Sequence, residues 1–256
     1  MKLPILIDLD GVLRLDKEPA PHIEDFFDYL NKSKRKACIL SNSTLSTAND
    51  VRAFFEFNGI HTNIPILTAA EAAAMYARSR YRRVAVYCSD HIKTLFNGML
   101  DYEHPQAIII GDYGKKWDFA TMNEIFKKVH DGAEIIAMHK KRYWKTAADG
   151  KLLDVGPFVV AIEYAAKKTS TIIGKPSPLY FSSALSLLGH DLSKRFLMFG
   201  DDLETDIKAA QDLGGISIYI NSGKSLPSNE NIITPNYEVK DLLEAIELLE
   251  NNEEIS

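Results

Sequence analysis

Cysteine and tryptophan are both scarce in this chain, at two residues each, and no apolar run is long enough to cross a membrane. Cys38 and Cys88 sit inside the apolar segments KACIL and AVYCS. Small buried thiols in strands are the simple reading, against a disulfide framework or a redox pair. A reducing, cytoplasmic setting follows as the default expectation. The apolar runs fall well short of the ~20 residues of a membrane helix. The N-terminal run is too short for a signal peptide and is broken by Asp8 and Asp10. Basic residues are outnumbered, 30 to 35, for a net charge of −5. That balance gives no strong electrostatic case for nucleic acid or an anionic membrane as partner. Repeats, low-complexity tracts and flexible linkers are absent from the sequence, and the histidines show no metal-ligand spacing.

With 46% hydrophobic and 25% charged residues, the composition is that of an ordinary soluble globular protein. A length of 256 residues allows one large domain or two small ones. Short apolar runs alternate with helical stretches, which argues for an α/β fold. Core strands are predicted at Ile5–Leu9, Ala37–Ser41, Phe196–Phe199 and Ile216–Ile220, with a weaker one near Thr171–Ile173. These are continuous apolar runs, as parallel strands covered on both faces require. Helices are predicted at Ile23–Lys32, Ser46–Asn58 (Ser46 as N-cap, Gly59 past the end), Pro178–Leu188, Leu203–Leu213 and Val239–Glu250. The middle of the chain has its own alternation. Helices Ala69–Ser79, Asp90–Leu100, Asp118–Val129 and Pro157–Lys167 frame strands Arg83–Cys88, Ala107–Ile110 and Glu134–Met138. That is roughly a hundred residues, enough for a small α/β domain of its own. The polar tail Asn251–Ser256 is expected to fray.

The opening strand is the most informative segment. Residues 4–13 read PILIDLDGVL, an apolar run leading straight into two aspartates that flank Leu9. Residues two apart on a strand face the same way. Asp8 and Asp10 can therefore point together into a pocket at the strand's carboxyl end, where open α/β sheets place their ligands. Two carboxylates that close repel unless a cation or a shared proton offsets them. The pattern asks for a divalent metal, an acid/base pair, or both.

Three further segments follow predicted strands. They are LSNST at 40–44, GKPSP at 174–178 and GDDLETD at 200–206. Each is weak alone. DxDG also occurs in calcium loops, but the other oxygen ligands and the terminal glutamate of an EF-hand are missing here. A lone loop lysine is usually solvated, Ser and Asn after a strand usually cap the next helix, and carboxylates before a helix favour its dipole. The informative feature is their joint occurrence, in this order, each after its own strand.

Together the four segments resemble the haloacid dehalogenase (HAD) superfamily, over nearly the whole chain. Asp8 and Asp10 match the first motif, Ser41 the second, Lys175 the third, and Asp201 with Asp206 the fourth. The resemblance implies a Rossmann-like core with a parallel sheet over residues 1–66 and 172–256. The long segment between the second and third motifs is then an inserted type-two cap domain, residues 67–171. The stretches KRYW…GKLLDVGPFVVAIEYA and IIGKPSP are similar to the NagD-like branch. Local likeness is greatest to the phospholysine phosphohistidine inorganic pyrophosphate phosphatase group, mainly across Gly150–Pro178. Some members of that group lack the second aspartate of the first motif; this chain keeps Asp10.

What the resemblance implies is a Mg²⁺-dependent phosphatase for small phosphorylated metabolites, working through an aspartyl-phosphate. Asp8 is then the nucleophile, and Asp10 the group that protonates the leaving oxygen and later takes a proton from water. Asp8, the main-chain carbonyl of Asp10, and Asp201 are the implied Mg²⁺ ligands, with Asp206 outside them orienting a water or Lys175. Ser41, the backbone N–H of Asn42, and Lys175 are the implied phosphate contacts. The four carboxylates carry −4 against +3 from Mg²⁺ and Lys175, so without metal the site repels a phosphate dianion. In the cap, His139, Arg142, Tyr143, Trp144, Asp154 and Phe158 are candidates for contacts to the leaving group, although HKKRYWK reads equally well as a solvated charged loop. Phosphoamide or pyrophosphate hydrolysis, and a non-catalytic phosphometabolite-binding module, stand as alternatives. Dehalogenation has no evident use for the Asp10 and Asp201 arrangement. The resemblance allows a homodimer paired through the caps and leaves the oligomeric state open.

Overall fold

Ile5, Leu6 and Ile7 have no solvent exposure, and the strand they form lies inside a six-stranded sheet. The computed structural model describes residues 2–146, 150–221, 233–252 and 254–255. In chain order the elements begin with β1 (Ile5–Asp8), β2 (Arg14–Leu15), β3 (Glu18–Pro19), α1 (Ile23–Ser33), β4 (Ala37–Ser41), α2 (Ala48–Phe57) and β5 (Ile66–Thr68). There follow α3 (Ala69–Arg80), β6 (Val84–Tyr87), α4 (Asp90–Lys93), β7 (Ala107–Ile110), α5 (Phe119–His130), β8 (Glu134–Ala137), β9 (Tyr143–Thr146), β10 (Gly150–Leu153), α6 (Val155–Ala166) and β11 (Thr171–Ile172). The chain closes with α7 (Pro178–Leu187), β12 (Leu197–Gly200), α8 (Ala209–Asp212), β13 (Ile216–Ile220), β14 (Tyr237–Val239) and α9 (Leu242–Asn251). It divides into two compact units. One comprises Met1–Ser41, Ala48–Leu67 and Lys175–Ser256; the other comprises Asn42–Thr47 and Thr68–Gly174.

The first unit holds the sheet β14-β13-β12-β1-β4-β5. β1 pairs in parallel with β4 (Asp8 opposite Leu40) and with β12 (Ile7 opposite Phe199). Strands earlier in the chain than the insertion lie on one side of β1 and later ones on the other, so the order reverses at β1. Crevices at the carboxyl ends of strands beside such a reversal are where open α/β sheets bind ligands. Helix α1 covers the sheet with Ile23, Phe26, Phe27 and Leu30, an i, i+3, i+4, i+7 stripe. Phe26 meets Phe199 edge-on at 5.8 Å between centroids, and Phe27 meets Phe55 at 5.7 Å. Such pairs are worth about 0.5–1.5 kcal/mol beyond their buried area.

The second unit is built on the parallel sheet β11-β8-β7-β6, with the antiparallel hairpin β9–β10 beside it in sequence. Ala69, Ala70, Ala72, Ala73, Ala74 and Ala77 let α3 pack closely, and its cap Thr68 accepts from the Glu71 amide at 3.2 Å. Asp118 caps α5 through the Thr121 amide at 2.7 Å. An aromatic chain runs through this unit, with Tyr87, Tyr113 and Trp117 in edge contacts and Trp117 stacked on Phe158 at 4.4 Å.

Several sequence expectations need correction. Thr171–Ile172 does not join the large sheet; it pairs with β8 in the second unit, because the backbone continues that edge through Ile173 N–H donating to Ala137 O. The second helix starts at Ala48, not Ser46, since the Ser43 hydroxyl draws the Leu45 and Ser46 amides into a turn. The helix expected at Asp90–Leu100 is only a single α-turn followed by a 3₁₀ turn, Thr94–Phe96. The one expected at Leu203–Leu213 opens as a wider π-helical stretch, Leu203–Lys208, before α8. The tail carries an anchor: Ile255 is fully buried in the first unit's core, while Glu253 and Ser256 lie outside the described residues. Among the described residues no helix is long and apolar enough to cross a membrane.

Candidate active site

The first unit holds Asp8 and Asp10 at the end of β1, Ser41 at the end of β4, Asp201 and Asp206 after β12, and Lys175 before α7. Asp8 is the last residue of β1 and only 6% exposed; its Oδ1 accepts from the Leu9 amide at 2.8 Å. The Leu9 amide also donates to Leu40 O at 2.9 Å, which keeps β1 registered on β4 up to the carboxylate. The chain then turns through Gly11, whose φ of 95° lies in the left-handed region that favours glycine. Gly11 N–H donates to Arg14 O, and Arg14 N–H donates to Leu9 O, both at 2.8 Å.

This turn places Arg14 beside Asp10. The guanidinium donates to Asp10 Oδ1 from Nε at 2.8 Å and from Nη2 at 2.6 Å. It also lies over the Phe54 ring, 5.3 Å from its centroid. Asp10 Oδ2 accepts from the Ser41 hydroxyl at 3.4 Å. Asp10 is therefore the exposed carboxylate of the pair, and its side chain does not share the burial of Asp8.

Ser41, at the end of β4, is fully buried. Its amide donates to the Tyr180 hydroxyl at 3.2 Å, and that hydroxyl lies 2.7 Å from Ser41 O and 2.6 Å from Leu67 O. Asn42, next in the chain, groups with the second unit. Tyr180 sits in the first turn of α7, which begins after Lys175 with Ser177 as N-cap and Pro178 as its first residue.

Lys175 is the centre of the charge network. Its Nζ lies 2.7 Å from Asp8 Oδ1 and 2.7 Å from Asp206 Oδ1, with 3% of the side chain exposed. Burial alone would lower the ammonium pKa, but Asp206 and Asp8 overcome it and hold Lys175 charged, above its ordinary value. Asp206 is fully buried; burial and then the Asp8 charge push its carboxyl well above the usual range, with Lys175 pulling the other way. Only glycine at position 200 allows this approach, since a Cβ there would stand 2.6 Å from Asp206 Oδ2 and 2.7 Å from its Cγ. Asp202 has a separate job, accepting from the Glu204 and Thr205 amides at 3.0 and 2.9 Å to start the helical stretch.

Asp8, Asp201 and Asp206 each offer a carboxylate oxygen, all within 4.8 Å of one another. Three converging hard oxygen donors suit a small divalent cation such as Mg²⁺. Asp8 and Asp206 each also ion-pair with Lys175 through Oδ1, so the ammonium lies beside the same cluster.

The residues singled out in the second unit separate into two kinds. His139 is 5% exposed, and its Nε2 lies 3.6 Å from Asp154 Oδ1. Its Nδ1 accepts from the Lys141 amide at 3.2 Å, which puts the proton of the neutral ring on Nε2, toward Asp154. Burial lowers the His139 pKa, with Asp154 opposing. Asp154 also caps α6 through the Val155 amide at 2.7 Å. Arg142, Tyr143 and Trp144 are exposed, with Lys151 Nζ over the Tyr143 ring at 4.7 Å. Phe158 is committed to its stack on Trp117.

Sequence reasoning missed two residues. Arg14 carried one readable signal, a cation four positions after Asp10 in a glycine turn. Tyr180 carried none, since it looks like any apolar residue of α7.

The family models agree with this geometry. A haloacid dehalogenase-like hydrolase model matches residues 5–99 and a HAD-hydrolase-like model matches residues 172–245. The human haloacid dehalogenase-like hydrolase domain-containing protein 2 is 30% identical over 234 residues, 90% of this chain and 88% of that protein. The bovine phospholysine phosphohistidine inorganic pyrophosphate phosphatase is 30% identical over 226 residues, 86% of this chain and 82% of that one. Among solved structures, the p-nitrophenyl phosphatase from Archaeoglobus fulgidus superposes with a TM-score of 0.86 at 22% identity, covering 97% of this chain and 99% of its own. NagD from E. coli K-12 gives 0.83 at 22% identity, with coverage of 95% and 98%. With a relative 30% identical over nine-tenths of its length and the motif residues Asp8, Lys175 and Asp206 in contact, the chain belongs to the haloacid dehalogenase-like hydrolases and has the NagD-like α/β fold.

Proposed function

We propose that this hydrolase is a Mg²⁺-dependent phosphatase that cleaves small phosphate monoesters through an aspartyl-phosphate on Asp8. The observation that carries the reading is the buried ammonium of Lys175, 2.7 Å from Asp8 and from Asp206. It sets a fixed positive charge beside the carboxylate that attacks phosphorus and beside the phosphoryl oxygens that gain charge in the reaction.

In the first step an Asp8 carboxylate oxygen forms a bond to phosphorus as the phosphorus–oxygen bond to the leaving group breaks. Asp10 gives its proton to the departing oxygen, which leaves as an alcohol. In the second step a water oxygen attacks the same phosphorus, Asp10 takes the water's proton, and inorganic phosphate leaves with Asp8 restored. Ser41, the Asn42 amide and Lys175 bind the phosphoryl oxygens as charge moves onto them. Asp8, Asp201 and the main-chain carbonyl of Asp10 would hold Mg²⁺, with Asp206 behind them steering Lys175. When bound, the ion supplies positive charge for the phosphoryl oxygens and lets a dianion enter a pocket of carboxylates.

Residues 1–66 and 172–256 form the catalytic core in this reading, and 67–171 an inserted cap that selects the leaving group. His139, Arg142, Tyr143 and Asp154 are its proposed contacts, the first and last 3.6 Å apart. The name of the bovine relative favours a second reading, cleavage of phosphorus–nitrogen or pyrophosphate bonds by the same groups.

The test is turnover of p-nitrophenyl phosphate with Mg²⁺, with EDTA, and by Asp8→Asn, followed by a panel of phosphorylated metabolites, phosphoamides and pyrophosphate. Loss of turnover in EDTA, its return with Mg²⁺, and a fall of about a thousandfold or more in Asp8→Asn are expected. Metal-independent turnover, or activity surviving Asp8→Asn, would sink the proposal. Tight ligand binding without an aspartyl-phosphate analogue trapped by beryllofluoride would favour a binding module instead.

A further inference from the structure

We propose that Arg14 is a positioning residue for Asp10, holding its carboxylate turned toward Ser41 so that proton transfer to the leaving group is aimed rather than left to a free rotamer. The inference rests on the reading of Asp10 as the proton carrier. Asp10 is the exposed member of the carboxylate set, so packing does not fix its side chain. Two hydrogen bonds do. Nε and Nη2 of Arg14 both bind Oδ1, at 2.8 and 2.6 Å, which leaves Oδ2 facing the Ser41 hydroxyl at 3.4 Å. A planar guanidinium with two donors on one oxygen fixes direction as well as distance, which an ammonium cannot.

Arg14 is itself held in place. Its backbone closes the turn through the Leu9 and Gly11 contacts and bridges back to Asp10. Its next residue pairs with Glu18 in the β2–β3 hairpin, and its guanidinium rests over Phe54 of α2. An interaction of this kind matters most when the leaving oxygen needs a proton. An alkyl phosphate releases a strongly basic alkoxide and depends on aimed proton transfer; p-nitrophenyl phosphate releases a stable anion and hardly depends on it. A side chain that merely supports the hairpin would affect both substrates alike.

The experiment measures kcat/KM across aryl and alkyl phosphates of rising leaving-group basicity. Wild type, Arg14→Gln, Arg14→Lys, Asp10→Asn and the double variant Asp10→Asn/Arg14→Gln are compared, with thermal unfolding to confirm that each is folded. Arg14→Gln is expected to lose about tenfold more on alkyl phosphates than on p-nitrophenyl phosphate. Arg14→Lys should recover part of that difference, and in the Asp10→Asn background removal of Arg14 should add no further dependence on the leaving group. An equal loss across the series, or a leaving-group-dependent loss that persists without the Asp10 carboxylate, overturns the proposal. If Arg14→Gln fails to fold, Arg14→Ala takes its place, and an unchanged slope in it is negative. A wild-type enzyme that hydrolyses no phosphate ester fells the phosphatase reading and this inference together. Hydrolysis with an unchanged slope fells only the inference.

Discussion

The Tyr180 hydroxyl receives the Ser41 amide at 3.2 Å and lies 2.7 Å from the Ser41 carbonyl oxygen. One buried phenol thus contacts both backbone polar groups of the residue that ends β4. Because Tyr180 belongs to the first turn of the helix that follows Lys175, the same contact ties the start of that helix to the end of β4. Two motif segments far apart in sequence are indexed to each other by a residue outside both.

Tyr180→Phe should therefore destabilise the first unit. The Ser41 amide would lose its acceptor inside a fully buried site, which costs about 1–3 kcal/mol. Urea denaturation should show a lower midpoint with an unchanged slope, and KM for a phosphate ester should rise more than kcat falls. A variant as stable as wild type would mean that the amide finds another partner.

Lys175→Met removes the cation between Asp8 and Asp206. Both carboxylates stay buried, and breaking such a pair from one side costs about 3–5 kcal/mol. The expected result is a large drop in unfolding free energy together with loss of turnover. Adding Asp206→Asn to it removes one of the two stranded charges, so stability should recover in part while activity does not. Equal stability in the single and double variants would contradict the ion-pair account.

His139 sets a pH dependence. Burial holds its folded pKa below the ordinary histidine value, so at mildly acidic pH the unfolded chain binds a proton that the folded chain does not. Its contribution to stability is complete above the unfolded pKa of about 6.5 and is lost as pH falls through the depressed folded value. Chemical denaturation at neutral and mildly acidic pH should show a decline that is smaller in His139→Asn. An identical decline in both proteins would show that other groups carry it.

Much of the candidate site was legible in the sequence because its polar groups fall where strands end. Asp8, Ser41 and Asp201 each follow an apolar run, and a run buried on both faces announces a parallel strand as clearly as its loop announces polar work. The same logic failed where contacts depend on geometry across the chain. Thr171–Ile172 has the composition of a core strand, yet its partner is β8. Leu203–Lys208 has helical composition, but its π-helical turns accompany a buried Asp206 side chain packed where Gly200 leaves no Cβ.

By itself the sequence determined the α/β class, the site-bearing loops and the types of group available there, since these follow from local periodicity and from what each side chain can ionise or donate. The tertiary structure alone decided the partnerships. Lys175 lies between Asp8 and Asp206, Arg14 grips Asp10, and Tyr180 holds Ser41. Hydrogen bonds and ion pairs act over about 3 Å, a scale on which sequence separation carries no information until the sheet has registered its strands.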